Sequence, residues 1–200
     1  MIKNYNDYRE YLKRDYKSNN FDTGNLLKNF TKRQLGFSKI EVFIRLLRKV
    51  EFLSNSKSSL LKKLLLIYYY KKFISLSVKL GFSIPINVFG PGFSIPHYGT
   101  IVVNPNSKVG KNCRLHVGVN IGSSGGSEIA PVIGDNCYIG PGTVIFGDIE
   151  IANNISISAN STVFKSFEKE HFIIAGSPAK YIKEDSLVWW KKNKLLLNEN

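Results

Sequence analysis

Three histidines are the side chains of this sequence that can exchange protons near neutral pH: His97, His116 and His171. His97 lies in the segment Pro-His-Tyr-Gly, whose proline and glycine predict a corner of the chain. A hydroxyl group is a poor nucleophile until its proton is removed, and a neutral imidazole can remove it as the hydroxyl attacks a carbonyl carbon. On this chemistry alone, any of the three histidines could act as a general base.

The other histidines have less specific surroundings. His116 follows an apolar residue in a periodic segment, so we expect its side chain to point outward, either toward a substrate or into ordinary surface packing. His171 lies in the charged segment Glu-Lys-Glu-His-Phe, and we expect it to be solvated. No Cys-x-x-Cys or paired-histidine spacing is present, so we predict no metal site and expect Cys113 and Cys137 to be buried free thiols.

A six-residue period must position these residues. Large apolar side chains recur at this step in three runs, which are Phe89, Ile95 and Ile101, then Val103, Val109, Leu115 and Ile121, and then Ile133, Ile139, Ile145, Ile151, Ile157 and Val163. A helix with 3.6 residues per turn cannot keep one face at every sixth residue, whereas short strands on the three faces of a triangular coil can. The residue four positions later is small or apolar, so it can also turn inward. The period predicts a parallel β-helix of hexapeptide repeats.

The first 80 residues follow a helical period instead. Apolar side chains recur at three- and four-residue steps at Tyr5, Tyr8, Leu12 and Tyr16, and again at Ile40, Phe43, Ile44, Leu47 and Val50. Ser38 and Glu41 have the spacing of a capping box for the second helix. A third helix is predicted from Ser58 to Leu80, with one face formed by Leu61, Leu64, Leu65 and Tyr68. Ser18–Asn29 is predicted to be a turn.

The predicted fold class is therefore α+β. We divide the chain into a basic α-helical domain at 1–80, a β-helix domain at 81–182 and a C-terminal tail at 183–200, in which Trp189 and Trp190 are expected to pack on a neighbouring element. The net charge of +13 is concentrated in the first part, where 18 Lys and Arg face 6 Asp and Glu, which leaves +1 for the remainder.

The basic part has two open interpretations. Lysines flank the apolar run Leu64–Tyr70, which could place it against an anionic membrane surface, or the helix could pack on the β-helix and leave its lysines solvated. Nucleic-acid binding is not predicted because no recognised motif accompanies the charge. The sequence starts without the apolar region of a signal peptide, so we expect a cytoplasmic, or membrane-peripheral, protein.

The repeat region resembles the hexapeptide-repeat acyltransferases, and within them the serine acetyltransferase branch. The resemblance extends over roughly Phe89 to Ile182 and is carried by three segments, which are His-x-x-x-Ile-Val-Val at His97–Val103, Gly-Ser-Ser-Gly-Gly at Gly122–Gly126 and Ala-Gly-Ser-Pro-Ala-Lys at Ala175–Lys180. It implies a left-handed β-helix that assembles as a homotrimer. It also implies acetyl-CoA as co-substrate, bound between neighbouring β-helices, with no metal.

The resemblance further implies roles for individual residues. His97 takes the position of the histidine that deprotonates the acceptor hydroxyl. His116, Glu128 and Tyr98 are candidates for acceptor binding, and Glu128 could also orient His97 or be a solvated loop acid. The candidates for acetyl-CoA binding are Asn120, Gly122, Ser123, Gly140, Gly142, Gly176, Ser177 and Lys180.

Departures from the serine enzymes bear on the acceptor. Those enzymes carry an acidic residue before the histidine, where this chain has Pro96, and an Arg-His pair after the glycine-rich loop, where it has Ile129 and Ala130. An amino-acid acceptor needs partners for its carboxylate and ammonium groups. We therefore predict an O-acetyltransferase for a saccharide hydroxyl, as in capsule or lipopolysaccharide synthesis.

Other functions stay open at this stage. One is serine O-acetylation in cysteine biosynthesis, and another is a β-helix scaffold without catalytic activity. A metal enzyme of the gamma-class carbonic anhydrase type is disfavoured, because the three histidines are 19 and 55 residues apart. Pairing of trimers through the helical part is a further expectation.

Overall fold

The computed structural model describes residues 1–21, 39–57, 59–185 and 189. Three helices come first: α1 (Tyr5–Ser18), α2 (Lys39–Asn55) and α3 (Leu60–Leu80). The Asn4 side chain accepts from the backbone N–H of Asp7 and the Asp7 carboxylate accepts from that of Asn4, so a capping box starts α1. Ser59 caps α3, which ends at Gly81 in the left-handed conformation. The expected cap at Ser38 lies outside the described residues, as does most of the predicted turn after Ser18.

Thirteen short strands follow among the described residues. They are β1 (Phe82–Ser83), β2 (Ile101–Val103), β3 (Lys108–Val109), β4 (Arg114–Leu115), β5 (Asn120–Gly122), β6 (Val132–Ile133), β7 (Tyr138–Ile139), β8 (Val144–Phe146), β9 (Glu150–Ile151), β10 (Ser156–Ile157), β11 (Thr162–Val163), β12 (Phe172–Gly176) and β13 (Ala179–Glu184). They form three sheets, β1-β2-β5-β8-β11, β3-β6-β9 and β13-β12-β10-β7-β4. All pairs are parallel except the closing hairpin β12–β13.

This arrangement is the predicted left-handed parallel β-helix. The apolar residues that recur at every sixth position are the ones that face inward. Every residue of the three periodic runs is buried, from Phe89 through Val163. Most of the residues four positions later are buried as well, including Thr143 and both free cysteines, whereas Pro105 and Gly125 are exposed. Each coil therefore fills its interior with two side chains per face, and it excludes water only because the next coil covers it.

A ladder of asparagines stabilises one row of corners. Asn112, Asn136 and Asn154 all adopt positive φ, which asparagine tolerates better than most residues. The Asn112 side-chain amide donates to Asn136 Oδ1 at 2.9 Å, and Asn136 donates to Asn154 Oδ1 at 2.9 Å. Stacked amides thus satisfy one another along the axis, which explains the recurring asparagine before Cys113, Cys137 and Ile155.

The helices cover the open end of the β-helix at its first coil. Arg48 is completely buried and donates to the carbonyl oxygens of Phe89 and Gly90 at 2.9 and 2.8 Å. Its Nε donates to Asp15 at 2.7 Å, and its Nη1 donates to Glu51 at 2.9 Å. Burial lowers the pKa of Arg48, but the two carboxylates outweigh it and raise the pKa above its ordinary value.

The two carboxylates hold further backbone groups of this coil. Asp15 Oδ1 accepts from the N–H groups of Gly92 and Phe93 at 2.7 and 2.9 Å. Glu51 Oε1 accepts from the N–H of Asn87 at 2.7 Å. Side chains from α1 and α2 therefore take the place that a preceding coil would occupy.

The buried side of α3 is not the face that the sequence singled out. The helix buries Phe73, Ser77 and Leu80, and Phe73 stacks on Phe43 of α2 at 5.5 Å between ring centroids. The predicted face of Leu61, Leu64, Leu65 and Tyr68 is exposed at all four positions. Because α3 is apolar around most of its circumference, its period alone could not identify the buried side. None of the helices in the described part of the chain has the length and apolarity to cross a membrane.

Replacing Arg48 with Met should lower the free energy of unfolding by about 3–5 kcal/mol, because Asp15 and Glu51 would stay buried without their cation. The matched control is Arg45→Met, which removes a 3.8 Å contact with Glu41 at the surface and should cost less than about 1 kcal/mol. Urea unfolding followed by circular dichroism measures both. Equal losses would contradict the capping role of Arg48.

Candidate active site

One edge of the β-helix brings together His97, His116 and Gly140 from among the site residues that the sequence predicts. At this edge the backbone N–H groups of His116, Gly140 and Ser158 donate to carbonyl oxygens of the next coil, at 3.1, 2.9 and 2.9 Å. They therefore lie in one column, coil above coil. His97 lies at the same edge one coil below His116, since it comes three residues after Ser94, which forms a parallel bridge to Arg114 of β4. We call this column, from His97 to Ser158, the histidine edge.

His97 and His116 are neighbours at this edge. Their ring centroids are 6.3 Å apart, and His97 is exposed on a bend. The His97 ring has no hydrogen bond to any residue that the structure describes. Tyr98 beside it is exposed over 71% of its surface. An exposed imidazole next to an exposed ring offers a place where a hydroxylated molecule can bind and lose a proton.

His116 is more enclosed than the sequence predicted. It is half-buried against Tyr138, with ring centroids 4.9 Å apart, and its Nε2 atom is buried without a hydrogen-bond partner in the described part of the chain. Burial, together with the charges of Arg114 and His97, lowers the pKa of His116 to about 4. His116 is therefore neutral at pH 7, and it adds no positive charge beside His97.

Gly140 and Gly142 serve the coil stacking directly. Their N–H groups donate to the carbonyl oxygens of Ile157 and Val117, at 2.9 and 3.0 Å, so neither amide is free to bind an oxyanion in this chain. A Cβ atom on Gly140 would come within 2.8 Å of the Ile157 carbonyl oxygen. A role of these glycines toward a cofactor therefore stays a prediction, and it would rest on close approach rather than on free donors.

The face beside the histidine edge carries other predicted residues. Along the sheet β1-β2-β5-β8-β11, Val102, Asn120, Val144 and Thr162 are aligned on successive strands. Ser177 continues the row, because its hydroxyl donates to Thr162 Oγ1 at 2.8 Å. We call this row, from Val102 to Ser177, the outer strip. Strands are spaced by about 4.8 Å, so the strip suits an elongated ligand that lies along the axis.

The remaining predicted residues lie apart from His97 within one chain. Ser123 accepts from the side chain of Asn104 at 3.3 Å, where β5 ends beyond Gly122 at a different edge. Glu128 lies in the loop at that edge, and its backbone carbonyl accepts from Asn106 at 2.7 Å. In the described part of the chain, no hydrogen bond or ion pair joins the Glu128 carboxylate to His97.

The end of the β-helix carries the other two candidates. Gly176 adopts a φ of 102° where β12 turns into β13. Lys180 lies on β13, is exposed, and pairs with Ala175 of β12. Both lie near Ser177 and hence near the end of the outer strip. His171 is exposed, as expected from its charged segment, and lies 3.8 Å from Glu170.

Two residues of the site escaped the sequence prediction. Tyr138 packs on His116, and Arg114, its strand partner, lies 5.4 Å over the ring of Trp189. Both precede an inward residue of the six-residue period, one coil apart, and this register could have identified them. Trp189 packs on the neighbouring coil as expected and donates to the carbonyl of Asn112 at 3.0 Å. Trp190 lies outside the described residues.

Comparisons with known proteins agree with this architecture. The bacterial transferase hexapeptide family (six repeats) matches residues 130–165. Serine acetyltransferase from Staphylococcus aureus (strain Mu50 / ATCC 700699) is 31% identical over 100 residues, which are 49% of this chain and 46% of that enzyme. The chain thus spans less than half the length of this relative.

Solved structures extend the similarity to the helices. Serine acetyltransferase from Brucella abortus strain S19 superposes with a TM-score of 0.65 at 25% identity, over 90% of this chain and 69% of that chain. The coenzyme A complex of a serine acetyltransferase from the same strain gives 0.59 at 25%, over 90% and 68%. The chain resembles the hexapeptide-repeat acyltransferases in sequence and in fold.

The lowered pKa of His116 predicts a specific acid sensitivity. The unfolded chain takes up a proton on His116 near its ordinary pKa of 6.5, whereas the folded chain does so only near about 4. Stability is therefore complete above this window and falls as the pH falls through it. His116→Gln should flatten this part of the pH profile of the unfolding free energy, measured with urea, whereas His171→Gln should leave it unchanged. Parallel profiles for the wild type and His116→Gln would contradict the enclosed position of His116.

Proposed function

We propose that this chain is an acetyl-CoA-dependent O-acetyltransferase in which His97 is the general base. The single observation that carries the proposal is that the exposed imidazole of His97, at the histidine edge, lies beside the exposed outer strip. Both belong to a β-helix of the acyltransferase type. The related enzyme from Brucella abortus has been crystallised in complex with coenzyme A, which supports the same donor here.

The outer strip fits the donor in chemical character. Asn120 and Ser177 offer amide and hydroxyl groups, and Val102 and Val144 are exposed apolar surface between them. Lys180 provides an exposed cation near the far end, where an anionic phosphate would find a partner. Gly122 is the last residue of β5 and Ser123 follows it, and both remain candidates for binding a neighbouring part of the same molecule.

The proposed chemistry combines proton transfer by His97 with the positioning of both substrates. Acetyl-CoA, when bound, supplies a thioester carbonyl carbon that a hydroxyl oxygen can attack. His97 takes the proton of that hydroxyl as the new C–O bond forms, the C–S bond of the thioester breaks, and the proton passes from His97 to the departing sulfur, so that CoA leaves as a free thiol. Neutral His116 allows His97 to become an imidazolium without repulsion from a second charged histidine. Holding both substrates at one edge adds a proximity term.

The acceptor has two candidates, and a different observation favours each. The relatives are serine acetyltransferases, which makes the serine hydroxyl the first candidate. The second is a saccharide hydroxyl, because Pro96, Ile129 and Ala130 supply no charge where an amino acid would need a partner for its carboxylate or ammonium group. Ile129 is exposed over 54% of its surface, so it presents apolar area instead. Tyr98 could stack on a sugar ring.

A homotrimer is part of the proposal. Four large apolar side chains are exposed on or next to the outer strip: Val102, Val117, Val144 and Phe164. Exposure of this apolar surface to water does not stabilise a monomer. A neighbouring β-helix placed beside the strip would cover the part of this surface that the donor leaves free, and it would bring its own loop, with Glu128, toward the site. Light scattering of the full chain should then give three copies per particle.

The test measures thiol release from acetyl-CoA with serine and with a panel of saccharides. His97→Ala should lower turnover by about 10²–10⁴-fold, the usual contribution of a positioned base. His171→Ala is the matched control and should keep wild-type turnover. If the His97→Ala variant turned over as fast as the wild type, His97 would not be the general base.

The same assay separates the acceptors. Turnover on serine alone would rule out the saccharide, and turnover on a sugar alone would rule out serine. Absence of turnover on every acceptor, combined with no binding of CoA in calorimetry, would identify a scaffold instead of an enzyme.

A further inference from the structure

The side of α3 that faces away from the core is an apolar surface without a partner in the described part of the chain. Its side chains fall within one broad stripe of the helix and are each more than half exposed, and we call them the outer face of α3: Leu60, Leu61, Leu64, Ile67, Tyr68 and Val78. The opposite side of the helix, through Phe73 and Leu80, already packs on α2 and the first coil. The outer face is therefore surplus to the fold, and a contiguous apolar surface of this kind marks an interaction site.

The charges on α3 identify what the surface can meet. The helix carries five lysines and no acidic residue. Lys63, Lys71, Lys72 and Lys79 are exposed beside or within the stripe. Lys72 Nζ lies 4.4 Å over the ring of Tyr68, so cationic heads and apolar surface alternate closely. Long lysine side chains can lay their stems on apolar surface while the ammonium groups reach phosphate.

A groove next to the stripe repeats this combination. It has a volume of about 470 Å³ and runs between α2 and the second half of α3. Val42, Leu46 and Leu76 form its apolar lining, and Lys71, Lys72 and Lys79 also line it. An apolar groove with cations and no anions complements an amphiphile whose polar end is negatively charged.

A second copy of the chain fits this surface less well. Two outer faces brought together would place lysines against lysines with no carboxylate from α3 to compensate, and like charges at an interface are costly. A lipid surface with anionic headgroups satisfies the apolar and the cationic groups at the same time.

We propose that the outer face of α3 is a membrane-docking surface, which holds the protein on a bilayer that carries anionic lipids. The helix lies on the bilayer with its first half, Leu60 to Tyr68, against the acyl chains and Lys71, Lys72 and Lys79 at the headgroup phosphates. This inference rests on α3 and the groove beside it, and it does not depend on the proposed acetyl transfer.

Co-sedimentation of the full chain with lipid vesicles tests the proposal. The wild type should bind vesicles of phosphatidylcholine mixed with phosphatidylglycerol, should bind pure phosphatidylcholine far more weakly, and should dissociate as salt is added. The triple variant Lys71→Gln, Lys72→Gln, Lys79→Gln should bind about 100-fold more weakly, since each lysine near the surface contributes about fivefold. The variant Leu61→Gln, Leu64→Gln, Ile67→Gln should lose binding at all salt concentrations.

The matched control replaces three exposed lysines of the β-helix, Lys111→Gln, Lys169→Gln and Lys183→Gln, and should bind as the wild type does. All substituted side chains are exposed, so circular dichroism should show an unchanged fold. Equal binding to neutral and anionic vesicles, no binding at all, or equal losses in the control would overturn the proposal. So would a leucine variant that dissociates in light scattering without lipid, because the face would then join copies of the chain.

Discussion

The fold depends on how the first coil of the β-helix satisfies its backbone, because every later coil is hydrogen-bonded to the one before it. Arg48 donates to two carbonyl oxygens of that coil, and Asp15 accepts from two of its N–H groups. Both side chains are completely buried, where an unpaired charge or amide would be costly. The helices thus bind the backbone of the first coil, on which all later coils stack in register. They are therefore a necessary part of the fold, because the first coil has no preceding coil to bind its backbone.

The register set at that end determines where the site residues fall. Equivalent residues on β2, β5, β8 and β11 follow one another after 18, 24 and 18 residues, as in Val102, Asn120, Val144 and Thr162. The longer interval contains the glycine-rich loop, which projects as a six-residue insertion and returns the chain to the same register. Because the coils remain aligned, the corner that holds His97 recurs at His116, at Gly140 and at Ser158. The histidine edge is thus a direct consequence of coil stacking.

The sequence predicted the repeat architecture well because burial in a β-helix depends only on the position within a coil. Phe89 through Val163 occupy the inward positions that the period assigned to them. Contacts between the two parts of the chain have no period, and so Arg48 gave no sign that it would bind backbone oxygens at Phe89 and Gly90. The buried side of α3 was hidden for a related reason, since nearly all of its sides are apolar. Tyr138 was not predicted although its place before the inward-facing Ile139 was readable, because the prediction of site residues began from side chains that exchange protons near neutral pH.

The central claim is that an acyl donor binds along the outer strip and reaches His97. A crystal structure of the full chain with coenzyme A tests this most directly. We expect coenzyme A to lie along Asn120, Thr162 and Ser177 with its thiol at the histidine edge. Coenzyme A bound elsewhere, such as in the groove between α2 and α3, or with its thiol turned away from His97, would contradict it.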